Sequence, residues 1–192
     1  MRVLILSPHP DFIATTVRSF GDEPIARSDR INLDSLDGQK PDFIVSYGYR
    51  FIIGKPVLSE FRGRAINLHI SYLPWNRGAD PNFWSWLDDT PKGVTIHLLD
   101  QGIDTGDILV QAITEFAPAE TLASSYEKLR RHIERLFAGC WPAIRDASMA
   151  PRPQIGKGTF HRKQDKSVLF EKLPLGFATP VADLASMQRR RG

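Results

Sequence analysis

Apolar positions fall first into short uninterrupted runs. Arg2 to Ser7 and Pro41 to Ser46 are each one strand long and apolar almost throughout, which predicts strands covered on both faces of a parallel sheet. Ile25 to Arg27, Ala65 to His69, Val94-Thr95-Ile96 and Ile108 to Ile113 predict further strands. Between them the spacing changes to the helical period. Helices are expected over about Phe12 to Phe20, Asn82 to Leu87 and, longest, Thr121 to Asp146. In the last, Leu122, Tyr126, Leu129, Ile133, Leu136 or Phe137, and Cys140 recur on one face, with Thr121 as N-cap and Pro142 near the end. Strands alternating with helices imply an α/β fold: an open, mostly parallel, doubly wound, Rossmann-like sheet. Such sheets hold ligands beyond the carboxyl ends of their strands. Ser7-Pro8-His9, Tyr47-Gly48-Tyr49-Arg50 and Asn67-x-His69 all fall there.

At Pro151-Arg152-Pro153 the pattern breaks. Residues 1–149 read as the core domain and 150–192 as a short C-terminal extension, basic and polar from Gln154 to Lys166, with a terminal helix over Pro180 to Gln188. The net charge is +3, but much of the excess sits in Arg162-Lys163 and Arg189-Arg190-Arg191, so it marks no binding face for nucleic acid. A single cysteine, Cys140, rules out an internal disulfide framework and is expected as a packed thiol. Val3-Leu4-Ile5-Leu6 is too short for a signal core and no run approaches membrane-spanning length, so a cytoplasmic location and no membrane partner are expected.

The chemistry concentrates between Asn67 and Asp107. Asn67 and His69, two apart on a strand, point to the same face. Asp104 stands in a glycine-bracketed loop, Gly102-Ile103-Asp104-Thr105-Gly106-Asp107. A neutral donor, an imidazole and an anion able to pair with it suit acyl transfer to an amine, with Asn67 and His69 on the developing oxyanion and Asp104 taking the amine's proton. His97 is expected in the core or behind the site, and His132 in solvent on the outer face of the long helix beside Glu134. No Gly-x-Gly-x-x-Gly follows the first strand, which removes the main support for dinucleotide binding. His9-Pro10-Asp11 resembles the start of the motif of zinc-dependent N-deacetylases. Phe12 replaces its second acid and no His-x-x-His pair completes a site, so no metal is expected.

Taken together, Asn67-x-His69, the Ser71-Tyr72-Leu73-Pro74 and Arg77-Gly78 loop, and Gly102-Ile103-Asp104-Thr105-Gly106-Asp107 resemble the catalytic core of the folate-dependent formyltransferases. That group includes glycinamide ribonucleotide, methionyl-tRNA and nucleotide-linked amino-sugar formyltransferases, and the likeness covers roughly residues 41–116. It implies 10-formyltetrahydrofolate as formyl donor and catalytic roles for Asn67, His69 and Asp104. It also implies cofactor contacts from Tyr49, Arg50, Phe51 and Ile52 after the third strand, and from Leu99, Asp100 and Asp107 around the aspartate loop. On the substrate side stand His9, Asn76, Arg77 and Asp80, the last three in a loop rich in aromatics and prolines.

The first loop departs from that of the glycinamide ribonucleotide enzymes, and residues after Pro151 are too few for a tRNA domain. A nucleotide-linked amino sugar is therefore the expected amine. Gln154 to Arg162 resembles a segment of the amino-sugar enzymes, with a role in substrate binding or in a homodimer. A formyl-folate hydrolase and a folate-binding protein on the same core are the rival readings.

Overall fold

The computed structural model describes residues 1–189. In chain order its elements are β1 (Arg2–Leu6), α1 (Asp11–Ser19), β2 (Glu23–Arg27), β3 (Phe43–Tyr47), α2 (Lys55–Glu60), β4 (Ala65–His69) and β5 (Arg77–Gly78). There follow α3 (Pro81–Leu87), β6 (Gly93–Leu98), β7 (Ile108–Ile113), α4 (Leu122–Arg145), β8 (Phe160–His161), α5 (Lys163–Phe170) and α6 (Val181–Arg189). Six strands form one sheet in the order β2-β1-β3-β4-β6-β7, with β2, β1, β3 and β4 parallel throughout. The expected α/β architecture is thus present. Arg190 and Arg191 of the basic terminus lie outside the described residues.

By contacts the chain separates into two compact units that interleave in sequence. The first comprises Met1–His69, Ile96–Val110 and Glu134–Gln154. Its centre is made by the two apolar runs: Val3 lies opposite Phe43, Leu4 opposite Ile44 and Leu6 opposite Ser46. Alternation along the strands sends Leu4, Leu6 and Ile44 to one face, where they join Ile31, Leu36, Ile53, Val57 and Phe61 in a continuous cluster. On Phe43 the edge of Trp141 rests, with ring centroids 5.3 Å apart and planes at 89°. Trp141 is fully buried and its indole N–H donates to Asp22 at 2.9 Å.

β6 runs opposite to β4. The Leu99 N–H donates to the Ala65 carbonyl at 2.8 Å, and Asn67 faces His97, so the end of β6 meets the start of β4. That reversal puts the residues after Leu98 back alongside Asn67.

The second unit comprises residues 70–95, 111–133 and the chain from Ile155 on. Phe83, Trp84, Leu87, Leu122, Leu173 and Leu184 form its core. β5 and β8 make a two-stranded parallel pair, Arg77 opposite Phe160 and Gly78 opposite His161. Gly78 has φ +87°, and a Cβ there would lie 2.3 Å from the His161 carbonyl oxygen, so only glycine admits this strand pairing. Two short regular elements, β8 and α5, therefore occupy the stretch expected as a solvated connector. Thr121 caps α4 as expected, its Oγ1 accepting from the Ser124 N–H at 3.1 Å.

Three positions of α4 differ from the helical reading. Tyr126 is 50% exposed, and Cys140 is only half-buried while its neighbour Trp141 fills the core, because the helix rotates by one residue against the expected stripe. His132 is half-buried, with Nδ1 2.7 Å from Thr114 Oγ1, and Glu134 is buried, facing the Tyr47 hydroxyl at 3.4 Å.

Candidate active site

Asn67, His69 and Asp104 converge within the first unit. Asn67 and His69 leave β4 on the same face, as period two requires. Asp104 reaches them because its loop is tightly folded. The Asp100 carboxylate accepts the Gly102 N–H at 3.0 Å and the Thr105 hydroxyl at 2.7 Å, closing the turn from inside. Asp104 itself sits at φ +53°, in the left-handed region. A Cβ on Gly106 would stand 1.8 Å from the Leu98 carbonyl oxygen, so this glycine lets the loop cross the end of β6.

The resulting geometry is close. Asn67 Nδ2 donates to Asp104 Oδ1 at 3.1 Å, and His69 Nδ1 lies 3.6 Å from Asp104 Oδ2, within ion-pair range. His97 joins them: its Nε2 is 3.4 Å from both Asp104 Oδ1 and Asn67 Nδ2, and its Nδ1 is 2.8 Å from the Leu98 carbonyl oxygen. Because a carbonyl only accepts, that Nδ1 carries a proton. His69 and Asp104 retain 7% and 11% of their side-chain exposure and His97 1%, so the first two face a ligand while His97 supports them from beneath. Sequence reasoning left His97 as core. The signal was available, since Thr95-x-His97 repeats the two-residue spacing of Asn67-x-His69 on a strand. Gln154 carried no such signal: its amide donates to the Asp104 carbonyl at 2.8 Å and to that of Gly106 at 2.9 Å, tying the loop down from 50 residues away.

The candidate cofactor residues belong to the same unit. Tyr49 and Leu99 both lean on the core cluster around Leu4, Leu6 and Ile44. The Tyr49 hydroxyl donates to the Asp29 carbonyl at 2.6 Å, and burial raises its pKa. Phe51, whose ring is 5.5 Å from that of Tyr49, is 37% exposed and Ile52 78%, an apolar lip beside which Arg50 is also exposed. Asp100 is spent on the turn, and Asp107 accepts the Leu98 N–H through its carbonyl while its side chain is exposed. Among the described residues no group of three or more His, Cys, Asp or Glu is disposed to hold a metal ion.

The substrate-side candidates separate. His9 is exposed in the first unit, its N–H on Ser7 Oγ. Asn76 is a correction: it has no exposed surface, and its amide donates to Ser71 Oγ at 3.2 Å and Thr90 Oγ1 at 2.8 Å, so it frames its loop and offers no tip to a ligand. Arg77, half-buried, is held by β5, its N–H on the Thr159 carbonyl. Asp80, at φ +55° before α3, pairs with Lys166 Nζ at 2.5 Å beside a cavity of the second unit.

Comparison with known proteins gives a consistent picture. Residues 10–138 match the profile of the family described as Formyl transferase. A methionyl-tRNA formyltransferase from Agathobacter rectalis is 31% identical over 140 residues, 72% of this chain and 45% of its own length. The chain thus spans less than half of that relative. Among solved structures, the formyltransferase PseJ from Anoxybacillus kamchatkensis, in complex with UDP-4,6-dideoxy-4-formamido-L-AltNAc and tetrahydrofolate, is similar at 44% identity and TM-score 0.93, over 98% of this chain and all of its own. A sugar N-formyltransferase from Shewanella sp shares the fold at 21% identity and TM-score 0.78, over 98% and 87% of the two chains. No helix of the described residues is long and apolar enough to cross a membrane.

Proposed function

Because the chain belongs to the formyl transferase family, we propose that it transfers a formyl group from 10-formyltetrahydrofolate to the primary amine of a nucleotide-linked amino sugar. The observation that carries the reading is the convergence of Asn67, His69 and Asp104 on one point, in a chain 44% identical over its length to a protein seen with a formamido sugar nucleotide and tetrahydrofolate. The exposed apolar lip of Phe51 and Ile52, backed by Tyr49 and Leu99, fits a flat pterin ring.

The donor, when bound, supplies a formyl group already attached to a nitrogen that can leave. The chain's residues do the rest. Asn67 uses one amide proton on Asp104 and has a second for the formyl oxygen. His69 turns Nδ1 toward Asp104 and has Nε2 for the same oxygen, so the two donors meet the charge that builds there as the amine attacks. Asp104 accepts the proton that the amine loses, directly or through a water. The departing nitrogen is protonated in turn, and no nucleophilic side chain is consumed.

The test is release of tetrahydrofolate from 10-formyltetrahydrofolate by the purified chain, alone and with UDP- and dTDP-linked 4-amino sugars, glycinamide ribonucleotide or methionyl-tRNA. Release that depends on the amino sugar and disappears in His69→Ala supports the reading. Release without any amine makes the protein a hydrolase, and preference for methionyl-tRNA moves the acceptor.

A further inference from the structure

The second unit contains a cavity of about 470 Å³, a size that suits a small-molecule site. Asp80, Phe83, Tyr126, Lys166, Phe170 and Phe177 line it. Three features define its chemistry. Its walls are aromatic: the Phe170 ring lies 6.3 Å from that of Phe83 and 4.7 Å from that of Phe177, while Tyr126 and Phe177 remain 50% and 59% exposed. Exposed rings gathered about a hollow offer faces on which another ring can stack.

The second feature is a placed donor. Lys166 Nζ lies 4.8 Å from the Phe170 centroid, 5.3 Å from that of Phe177 and 2.5 Å from Asp80 Oδ1. Asp80 takes one of its three protons, and Oδ2 of Asp80 stands beside it as an acceptor, so donor and acceptor are presented together.

The third is charge. Glu127 also lines the cavity, and hydrogen bonds from Arg130 and Arg131 hold its pKa down at about 2, so it stays ionised. Two carboxylates against one ammonium disfavour a phosphate or a carboxylate in this space. They favour a neutral planar ring with a carbonyl to accept and an N–H to donate.

From this we infer that the cavity is the seat of the acceptor's nucleobase, a pyrimidine such as uracil, with the diphosphate left outside it. The inference rests on the proposed reaction for its ligand, and on the geometry of the cavity for its place. A pterin has similar edges, but the cofactor candidates lie in the other unit, and the experiment separates the two.

Binding of uridine, UDP and folinic acid is measured by titration calorimetry on the full chain and on Phe177→Ala, Tyr126→Ala and Lys166→Met. Loss of a stacking ring costs roughly 5- to 150-fold in affinity for a base. The expected result is UDP and uridine binding that weakens by such a factor in each variant, with folinic acid unchanged and melting temperatures preserved. UDP binding that all three variants leave untouched overturns the inference, as does weakened folinic acid binding with UDP intact. Absence of UDP binding in a chain that still formylates a UDP-amino sugar refutes the cavity and leaves the reaction standing. UDP binding that depends on these residues, in a chain that formylates nothing, supports the cavity and refutes the reaction.

Discussion

Asp104→Asn isolates the proton-accepting role from the structural one. Asparagine has nearly the same shape and is at home at the φ of +53° that position 104 adopts, so the substitution adds no backbone strain. Its amide oxygen can still accept from Asn67 Nδ2 as the carboxylate does at 3.1 Å. What it lacks is basicity, and a second acceptor for His69 Nδ1. Loss of a positioned general base costs ~10²–10⁴ in rate, and at ~1.36 kcal/mol per decade that is about 3–5 kcal/mol of barrier. The structural cost is smaller: one charge-assisted contact exchanged for a neutral one, about 1–2 kcal/mol, or some 2–8 °C of melting temperature at this chain length. Initial rates of tetrahydrofolate release at saturating amine, read beside a thermal melt, separate the two. The expected outcome is kcat down at least ~10² with a modest fall in Tm. A variant that melts like the parent and keeps a third or more of kcat refutes Asp104 as the base, and a loss confined to KM does the same.

Other consequences follow from single contacts. Gly106→Ala drives a Cβ to within 1.8 Å of the Leu98 carbonyl oxygen, so the Asp104 loop must shift; activity should fall by at least ~10-fold, since a ~1 Å misplacement can cost 10², while the circular dichroism of the sheet persists. Burial raises the Asp22 pKa, but hydrogen bonds from the N-terminal ammonium and Trp141 and the charge of Arg145 outweigh it and hold the carboxyl below its usual value. Its stabilisation is therefore present above the unfolded pKa of ~3.9 and fades as pH falls through the folded one. Urea midpoints should drop on acidification in the parent and flatten below about pH 4 in Asp22→Asn. Burial pushes the Cys140 thiol up, so at pH 7.5 it should react with a thiol reagent at least ~10-fold more slowly in the native chain than in urea.

Much of the fold was open to reading because its elements obey local rules. Arg2 to Leu6 and Phe43 to Tyr47 are apolar enough to be buried on both faces, and every strand expected from the pattern forms. The three catalytic candidates were legible for the same reason. Two of them share a strand face, and the third stands between glycines whose absent side chains the loop requires. Period alone could not give the sense of β6. An isolated β-branched run is compatible with either direction, and the reversal emerges from pairing, with Leu99 on Ala65. His97 was passed over because a histidine in mid-strand is ordinarily core. Here the same burial puts Nε2 under Asp104.

The loop from Ser71 to Asp80 and the stretch from Gln154 to Arg162 resisted reading on their own for one physical reason. Neither has a period, because neither is stabilised by its own repeats. Thr159 Oγ1 accepts the Asn76 N–H at 2.8 Å, and the Asn76 amide spans Ser71 and Thr90 from 5 to 14 residues away. Gly158, at φ +61°, passes so near the Pro74 carbonyl that a Cβ would lie 2.0 Å from its oxygen. Side chains that looked like substrate tips, Asn76 above all, are therefore the fasteners of these two segments. The composition change at Pro151 is real, but it marks where the chain stops making periodic elements and starts to be held by polar contacts with residues 70–95. A basic, polar sequence is what such a role selects. The hydrogen bonds of Thr159 and the pair of Lys166 with Asp80 are made by the residue types that, read alone, suggest solvent.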